Sequence, residues 1–553
     1  MPEKITVHFA DGRSKEYDCC IDLFAVSKDV AQENAMPIVA AKVNHEIKDL
    51  QVQLTADCAL EFLDLSSAEG MMIYQRSLVF VMITAAHELF PGRELTVEHS
   101  LSKGLYCELH LDQDLTPGDV AKLEERMRGI ALEDRPFVRK KMPKAQAIEL
   151  FKTAGQEAKV NLLKQLTLEQ VSLYYCGDVY DYFYGTLVPS TGFLKVFELK
   201  FYAPGFILRS PEKERPDALP EYAEQPKLAK IFFEAEQWGK ILRCGYVGKL
   251  NEYVKKKQIA EIIRVAEALH EKKLAQIADF IFEHRKEVRV ILIAGPSSSG
   301  KTTFAQRLGV QLRVNGVRPV PISLDDYFVD RSHTPRDEKG DYDFEAIEAL
   351  DLDLFNEHLL RLLKGESVKI PTYNFMSGQR EYRGRRIQLE ADQPLIIEGI
   401  HGLNERLTKA VPRDHKVKIY VSALTQLSID NHNRIPTTDT RLIRRIVRDS
   451  QFRAHDALST LQIWPSVRRG EERNIFPYQE DADVMFNSAL IYELGVLKTC
   501  AQPLLEQVSP ESPRYAEARR LLNFLSYFLT IPDEDIPPNS ILREFVGKSC
   551  FYK

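Results

Sequence analysis

The sequence predicts a multidomain protein, α/β in its second half and α+β in its first. Three observations predict it. Past the midpoint, the apolar runs "VRVILIAG", "VPISLDD", "PLIIEGI", "KVKIYVSA" and "ADVMFNSA" alternate with helical stretches. That is the pattern of a parallel sheet covered on both faces by helices. The first run leads into the glycine-rich stretch Gly295-Pro-Ser-Ser-Ser-Gly300-Lys301-Thr302, which opens a helix. Near the start, "KITVHFADGRSKEYD" alternates about an Asp-Gly turn, a hairpin signal.

Residues 1–64 read as a small mixed domain, because "PIVAAKVNHEIKDL" repeats the strand-turn pattern. Residues 65–224 read as an α+β domain. It holds an apolar helix at "YQRSLVFVMITAAHELF", a charged helix at "TPGDVAKLEERMRGIALED" and the tyrosine-rich "VSLYYCGDVYDYFYGTLVPSTGF". "SPEKERPDALPEYAEQPK" turns to proline and charge, as at a boundary. Residues 225–286 read as a helical linker, strongest at "QIAEIIRVAEALHEKKLAQIADFIFEHRK". Residues 287–499 hold the parallel sheet, and 500–553 read as a helical extension. A chain of 553 residues can bury several cores.

Apolar residues make up 44% and charged residues 28%, with a net charge of −6. These values suit a globular protein and give no overall basic coat for nucleic acid. The eight cysteines form no CxxC pair and no zinc-finger spacing, so reduced thiols are expected. The start "MPEKITVHFADG" has no signal-peptide core, and "SLVFVMITAA" is too short for a bilayer. The expectation is a soluble, cytoplasmic protein with no membrane partner.

The stretch from Gly295 matches G-x-x-x-x-G-K-[ST]. Gly295 and Gly300 let the backbone curl so that its N–H groups face phosphate oxygens. Pro296, Ser297, Ser298 and Ser299 form the body of the loop, and Thr303 continues it into the helix. Lys301 is placed to reach the outer phosphates and the Thr302 hydroxyl to bind Mg²⁺. ATP and Mg²⁺ are therefore the expected cofactors. No guanine-reading N-K-x-D occurs.

Ligands of an open parallel sheet sit beyond the C-terminal ends of its strands. "PISLDDYF" puts Asp325 and Asp326 at such an end, and "PLIIEGIHG" puts Glu398 at another. Phosphoryl transfer to a hydroxyl needs one carboxylate to take the proton and another to help hold the metal. Asp325 is the candidate base and Glu398 the candidate metal partner; taken singly, either could be a helix cap or a solvated acid. "TDTRLIRRIVRDSQFRAHD" carries Arg441, Arg444, Arg445, Arg448 and Arg453. Helical spacing puts 441, 445 and 448 on one face, which reads as a lid over transferring phosphates. Alone, it would read as a basic solvated helix or a nucleic-acid contact.

Residues 288–490 resemble the uridine kinase and phosphoribulokinase branch of P-loop kinases. The resemblance runs in order through "GPSSSGKTT", "SLDDYF", "PTYNFMSGQR", "IIEGIHGLN", "TDTRLIRRIVRD" and "ADVMFNSA". It implies Asp325 as base for a ribose 5′-hydroxyl, with Lys301, Arg448 and Arg453 attending the phosphates. It implies Asp343 on ribose hydroxyls, Tyr373 against the nucleobase, Arg380 supporting that loop and Arg445 on the nucleoside. The chain departs from the family at Gly378, where a base-contacting His is usual, at Phe328, where an aromatic hydroxyl is expected, and at His455, which replaces an Arg. The acceptor stays open among uridine, cytidine, another nucleoside and another sugar alcohol.

Residues 1–210 resemble the N-terminal part of threonyl-tRNA synthetase: a TGS domain, β-grasp-like, followed by the editing domain. "ELTVEHSLSKGLYCELHLDQDLTPGDVAKLEERM" and "DVYDYFYGTLVPSTGFLKVFELK" carry the likeness. The positions of the editing His-x-x-x-His and Cys-x-x-x-His pairs are held by Arg76, Phe80, Phe183 and Leu187. Phe and Leu neither bind zinc nor move protons. His87, nearby, is expected to be structural. The resemblance thus implies a retired editing domain that regulates, binds or oligomerises, with an RNA or a small-molecule effector as partner. The leading expectation is an ATP-dependent nucleoside kinase. The alternatives are a kinase of another sugar alcohol and a nucleotide-switched RNA- or ribosome-binding regulator.

Overall fold

The structure is a computed structural model that describes residues 3–31, 36–337, 340–374 and 376–551. The Asp-Gly turn closes a hairpin of Lys4–Phe9 and Ser14–Asp18, with Lys4 opposite Asp18. Cys58–Leu63 runs parallel to the first strand, and Ala40–Val43 and Glu46–Lys48 complete a five-stranded sheet. Ile5, Val7 and Leu60 pack with Leu23 and Val26 of the helix Leu23–Val30.

The apolar helix expected after residue 65 is α1, Ala68–Leu89. Ser67 caps it, and every side chain from Ser77 to Ala86 is buried. His87 is exposed in its last turn, so packing does not account for it. A four-stranded antiparallel sheet and the helix Pro117–Leu132 cover α1's neighbourhood. That helix starts in a capping box of Thr116 and Asp119. Phe80, Phe183 and Leu187 share the core around α1, with the two Phe rings 5.3 Å apart. Beyond lie a three-stranded sheet ending in Val179–Asp181 and the short helix α2, Glu157–Gln165.

The stretch expected as a linker is instead packed structure. Glu480 accepts hydrogen bonds from Lys227 N and Leu228 N and so caps the helix Pro226–Leu242 (both 3.0 Å). Ile231 and Phe232 sit among Leu101, Tyr106, Leu403 and Tyr420. The long helix α3, Ile259–Glu283, lies against the helix of the glycine-rich loop, where Arg307 donates to Glu271 (2.6 Å). Its apolar period, read from the sequence as a property of the helix alone, is the imprint of the helices packed against it.

The parallel sheet forms as the sequence predicts. Its strands are β1 (Val290–Ala294), β2 (Val320–Ser323), β3 (Leu395–Glu398), β4 (Lys416–Ser422) and β5 (Val484–Asn487), in the order β2-β3-β1-β4-β5. Each neighbouring pair is parallel. β1 and β4 are buried along their whole length, as strands covered on both faces should be. Register does the functional work: Glu398 lies beside Ser323 on one flank and Ile293 on the other. One continuous core joins Phe151 and Leu163, Ile277 of α3, Phe304 after the loop, and Phe524 and Phe545 near the C-terminus.

A buried polar cluster ties α2 to the sheet domain. Lys159 lies 2.9 Å from Asp181 and 3.4 Å from Asp430, with His432 against both Lys159 and Asp181. Burial alone would push Asp181 upward; Lys159 and His432 hold it down to about 2.

Candidate active site

The glycine-rich loop spans the end of β1 and the helix α4, Lys301–Val314. A Cβ on Gly295 would fall 1.9 Å from Val421 O, and Gly300 has φ +81°. Both positions therefore require glycine. The hydroxyls of Ser298 and Ser299 are buried without a hydrogen-bond partner. Orphaned donors in a curled loop at a helix N-terminus fit a phosphate group. Lys301 donates to Gly295 O (2.8 Å) and Pro296 O (3.2 Å), which holds its amine over the loop. Burial lowers the Lys301 ammonium from its ordinary value, while Glu398 and Asp325 pull it back up.

Beside the loop, Ser323 donates to Glu398 (2.9 Å) and the Thr302 hydroxyl lies 3.5 Å from its other oxygen. Oxygen donors converging there fit a hard divalent cation. Burial, and then the charge of Asp325, pushes Glu398 up to about 7, against the pull of Lys301. Asp325 follows β2 in a single turn, Leu324–Tyr327. Burial raises it above the ordinary carboxylate range, and Lys301, Arg453 and Arg448 draw it back. Asp326, its neighbour, turns to Arg385 (3.3 Å).

The arginines lie on α5, Thr437–Phe452, and their roles divide. Arg441 and Arg444 are fully buried and are braces, not parts of a lid. Arg441 forks onto Glu471 of the helix α6, Ala457–Asn474, and donates to Ser297 O (3.1 Å). Arg444 pairs with Glu493 and donates to Ser298 O (3.3 Å). Arg445 reaches the loop, donating to the Ser297 hydroxyl (2.7 Å), where the resemblance implied the nucleoside. Arg448 and Arg453 remain on the side of Asp325, and burial lowers Arg448 to about 10. α5 is thus a clamp built into the core, since its side chains from Asp439 to Arg444 are all buried.

Across the cleft, Tyr373 sits in a short hairpin with its ring 5.5 Å from Phe328. Arg380 donates to Asp351 (2.7 Å), and its backbone N–H donates to Asp330 (2.9 Å), which ties the hairpin to both carboxylates. Asp343 accepts from Glu345 N (3.1 Å) and, among the described residues, makes no hydrogen bond to Arg380 or Arg445.

Two groups escaped sequence reasoning. Glu345, half-buried, is pushed up to about 7 by burial and by Glu471. Glu544, on the short turn of helix Arg543–Val546, reaches the loop from the far end of the chain. Its carboxylate accepts from Thr303 N (3.2 Å) and the Thr303 hydroxyl (2.8 Å), 3.6 Å from Arg448. Ile541, just before it, lies over Gly300. Nothing local around Glu544 marks it; only the tertiary fold brings it there.

Residues 290–492 match the family model "Phosphoribulokinase / Uridine kinase family". The N-terminal half is similar to threonine–tRNA ligases. It is 34% identical over 212 residues to that of Desulforamulus reducens, covering 38% of this chain and 33% of the relative. It is 32% identical over 196 residues to that of a Janthinobacterium species, covering 35% of this chain and 31% of the relative. The chain therefore spans about a third of the length of these ligases. A solved D-glycerate 3-kinase from Cryptococcus neoformans aligns over 46% of this chain and 87% of its own, at 15% identity and a TM-score of 0.22. The sheet, the loop and the family match together show that this chain carries a kinase domain of the phosphoribulokinase / uridine kinase family, fused behind a region similar to part of threonine–tRNA ligases.

Proposed function

We propose that the chain is an ATP-dependent kinase acting on the 5′-hydroxyl of a nucleoside, with uridine and cytidine foremost. The observation that carries this reading is one electrostatic unit at the mouth of the loop: Lys301 and Arg448 act on Asp325, and Asp325 and Lys301 act on Glu398. Asp325 takes the proton of the attacking hydroxyl. Its raised affinity for a proton suits a general base. Lys301, Arg448 and Arg453 offset negative charge on the transferring group. Thr302 and Glu398 would hold Mg²⁺, which when bound neutralises charge on the outer phosphates. Tyr373, Arg380 and Asp343 would form the acceptor side, with Arg445 tying it to the loop. Residues 1–224 act on this unit as a regulatory or binding region.

Gly378 supports a second reading, a kinase of another sugar alcohol, because the family's base-contacting His is absent there. A panel of nucleosides and sugar alcohols with ATP and Mg²⁺, scored by phosphorylated product, separates the two. Product from no nucleoside, with product from a sugar alcohol, would overturn the first reading.

Two measurements bear on the site. A proton on Glu398, released at about 7, competes with a cation for the same oxygens. At subsaturating Mg²⁺, turnover is expected to rise as pH goes from about 6 to about 8, and excess Mg²⁺ should move that rise to lower pH. A profile insensitive to Mg²⁺ would remove Glu398 from the metal site. Glu544→Gln is expected to tighten ATP binding several-fold, on the order of tenfold, by weakening a resident anion. Unchanged affinity by calorimetry would show that this carboxylate does not compete.

A further inference from the structure

A cavity of about 100 Å³ lies where the editing-like region meets the kinase domain. Its walls come from both: Met72, Arg76 and Tyr184 on one side, Arg434 and Arg520 on the other. Val79, Val97, Leu105, Phe183 and Pro436 form the apolar part of the remaining wall, beside Gln75, His432 and Asn433. The space is well above that of one water.

The charges in this cavity do not balance. Arg520, on the helix Tyr515–Leu525, is neutralised by Asp439 (2.6 and 2.8 Å) and Glu517 (2.9 Å). Among the described residues, no carboxylate lies within 4.0 Å of Arg76 or Arg434. Among the described residues, Arg76 donates only to Thr186 O (2.8 Å), and it lies 5.4 Å from the Tyr184 ring centre. The Tyr184 hydroxyl makes no hydrogen bond among the described residues. Burial lowers both Arg76 and Arg434 from their ordinary values; Asp439 offsets this only in part at Arg434, and among the described residues no carboxylate does so at Arg76. Two guanidinium groups beside apolar walls are costly without a counter-charge. Gly185 completes the arrangement: a Cβ there would stand 2.4 Å from the Arg76 guanidinium.

We propose that this cavity is a binding site for a small organic oxyanion, a carboxylate or phosphate on a short apolar stem. Arg76 and Arg434 supply the counter-charge, Tyr184 a hydroxyl donor, and the apolar walls hold the stem. Arg is the residue suited to fork onto either oxyanion. Because the walls belong to both halves of the chain, the ligand bridges them. None of the residues 295–303 of the phosphate loop lines this cavity, and the proposal does not depend on which acceptor the kinase uses.

The test uses the full chain carrying Lys301→Ala, so that the phosphate loop contributes little. Propionate, propyl phosphate, inorganic phosphate and propylammonium are titrated at constant ionic strength, read by calorimetry and by melting temperature. Saturable binding of propionate or propyl phosphate with a raised melting temperature is expected, and none of propylammonium. The first two probes distinguish carboxylate from phosphate. Arg434→Gln and Arg76→Gln, checked for folding by circular dichroism, should each weaken binding about tenfold or more. Gly185→Ala should weaken it too, with both arginines present. No saturable anion binding, or binding unchanged in both arginine variants, would overturn the proposal.

Discussion

Asp325→Asn is expected to lower turnover by about 10²-fold or more while leaving ATP affinity nearly unchanged. The amide keeps the shape of the side chain and the turn Leu324–Tyr327 but cannot accept the acceptor's proton. Lys301, Arg453 and Arg448 would lose the negative charge that now faces them. That loss does not reach the loop's backbone donors, so nucleotide binding persists. The decisive readout is the split between kcat and the Kd for ATP, together with the pH profile. In the wild type, the acidic limb reports Asp325 and Glu398 together, because the charge of Asp325 raises Glu398. In the variant that limb should be carried by Glu398 alone and fall to lower pH. Turnover at the wild-type level would end the assignment of Asp325 as base.

The second large effect concerns stability. Lys159→Met should destabilise the protein by about 3–5 kcal/mol, the usual result of removing one partner from a buried ion cluster. Lys159 lies 2.9 Å from Asp181 and 3.4 Å from Asp430, and all three are buried. Without the ammonium, two carboxylates are left facing each other and His432. The sign with pH follows. In the wild type Asp181 is held down to about 2, below its unfolded value of 3.8. It therefore stabilises above about 4 and loses that contribution as pH falls toward 2. In the variant burial raises Asp181 instead, so the deficit is largest near neutral pH and shrinks toward pH 4. Denaturant melts at pH 7 and at about pH 4.5 measure it. Adding Asp181→Asn to Lys159→Met should recover part of the loss at neutral pH. An equal deficit at both values would show that packing, not charge, holds this junction.

The five strands of the sheet were legible because each is an apolar run set between helical stretches, and a parallel sheet leaves no other pattern. The loop was legible because glycine at two fixed positions is a steric demand. Asp325 and Glu398 were legible because strand ends are where such a sheet presents ligands. The roles of the arginines were not. Helical spacing says which share a face, but whether that face meets solvent or Glu471 and Glu493 depends on α6 and on the turn before Glu493. Residues 225–286 read as a linker for the same reason: a helix's own period does not say that Glu480 caps it or that α4 lies against it. Glu544 was invisible altogether, since a lone glutamate near a chain end carries no local signal.

That glutamate has a consequence for what the loop selects. A side chain tethered at its own target acts at an effective concentration on the order of millimolar. On the proposed reading, a ligand with one phosphate would offer the loop little more than the Glu544 carboxylate already does. A chain of phosphates held by Lys301, the Thr303 N–H and the curled backbone together would displace that carboxylate more readily. The tail would then set a threshold at the loop that orthophosphate crosses less easily than a triphosphate.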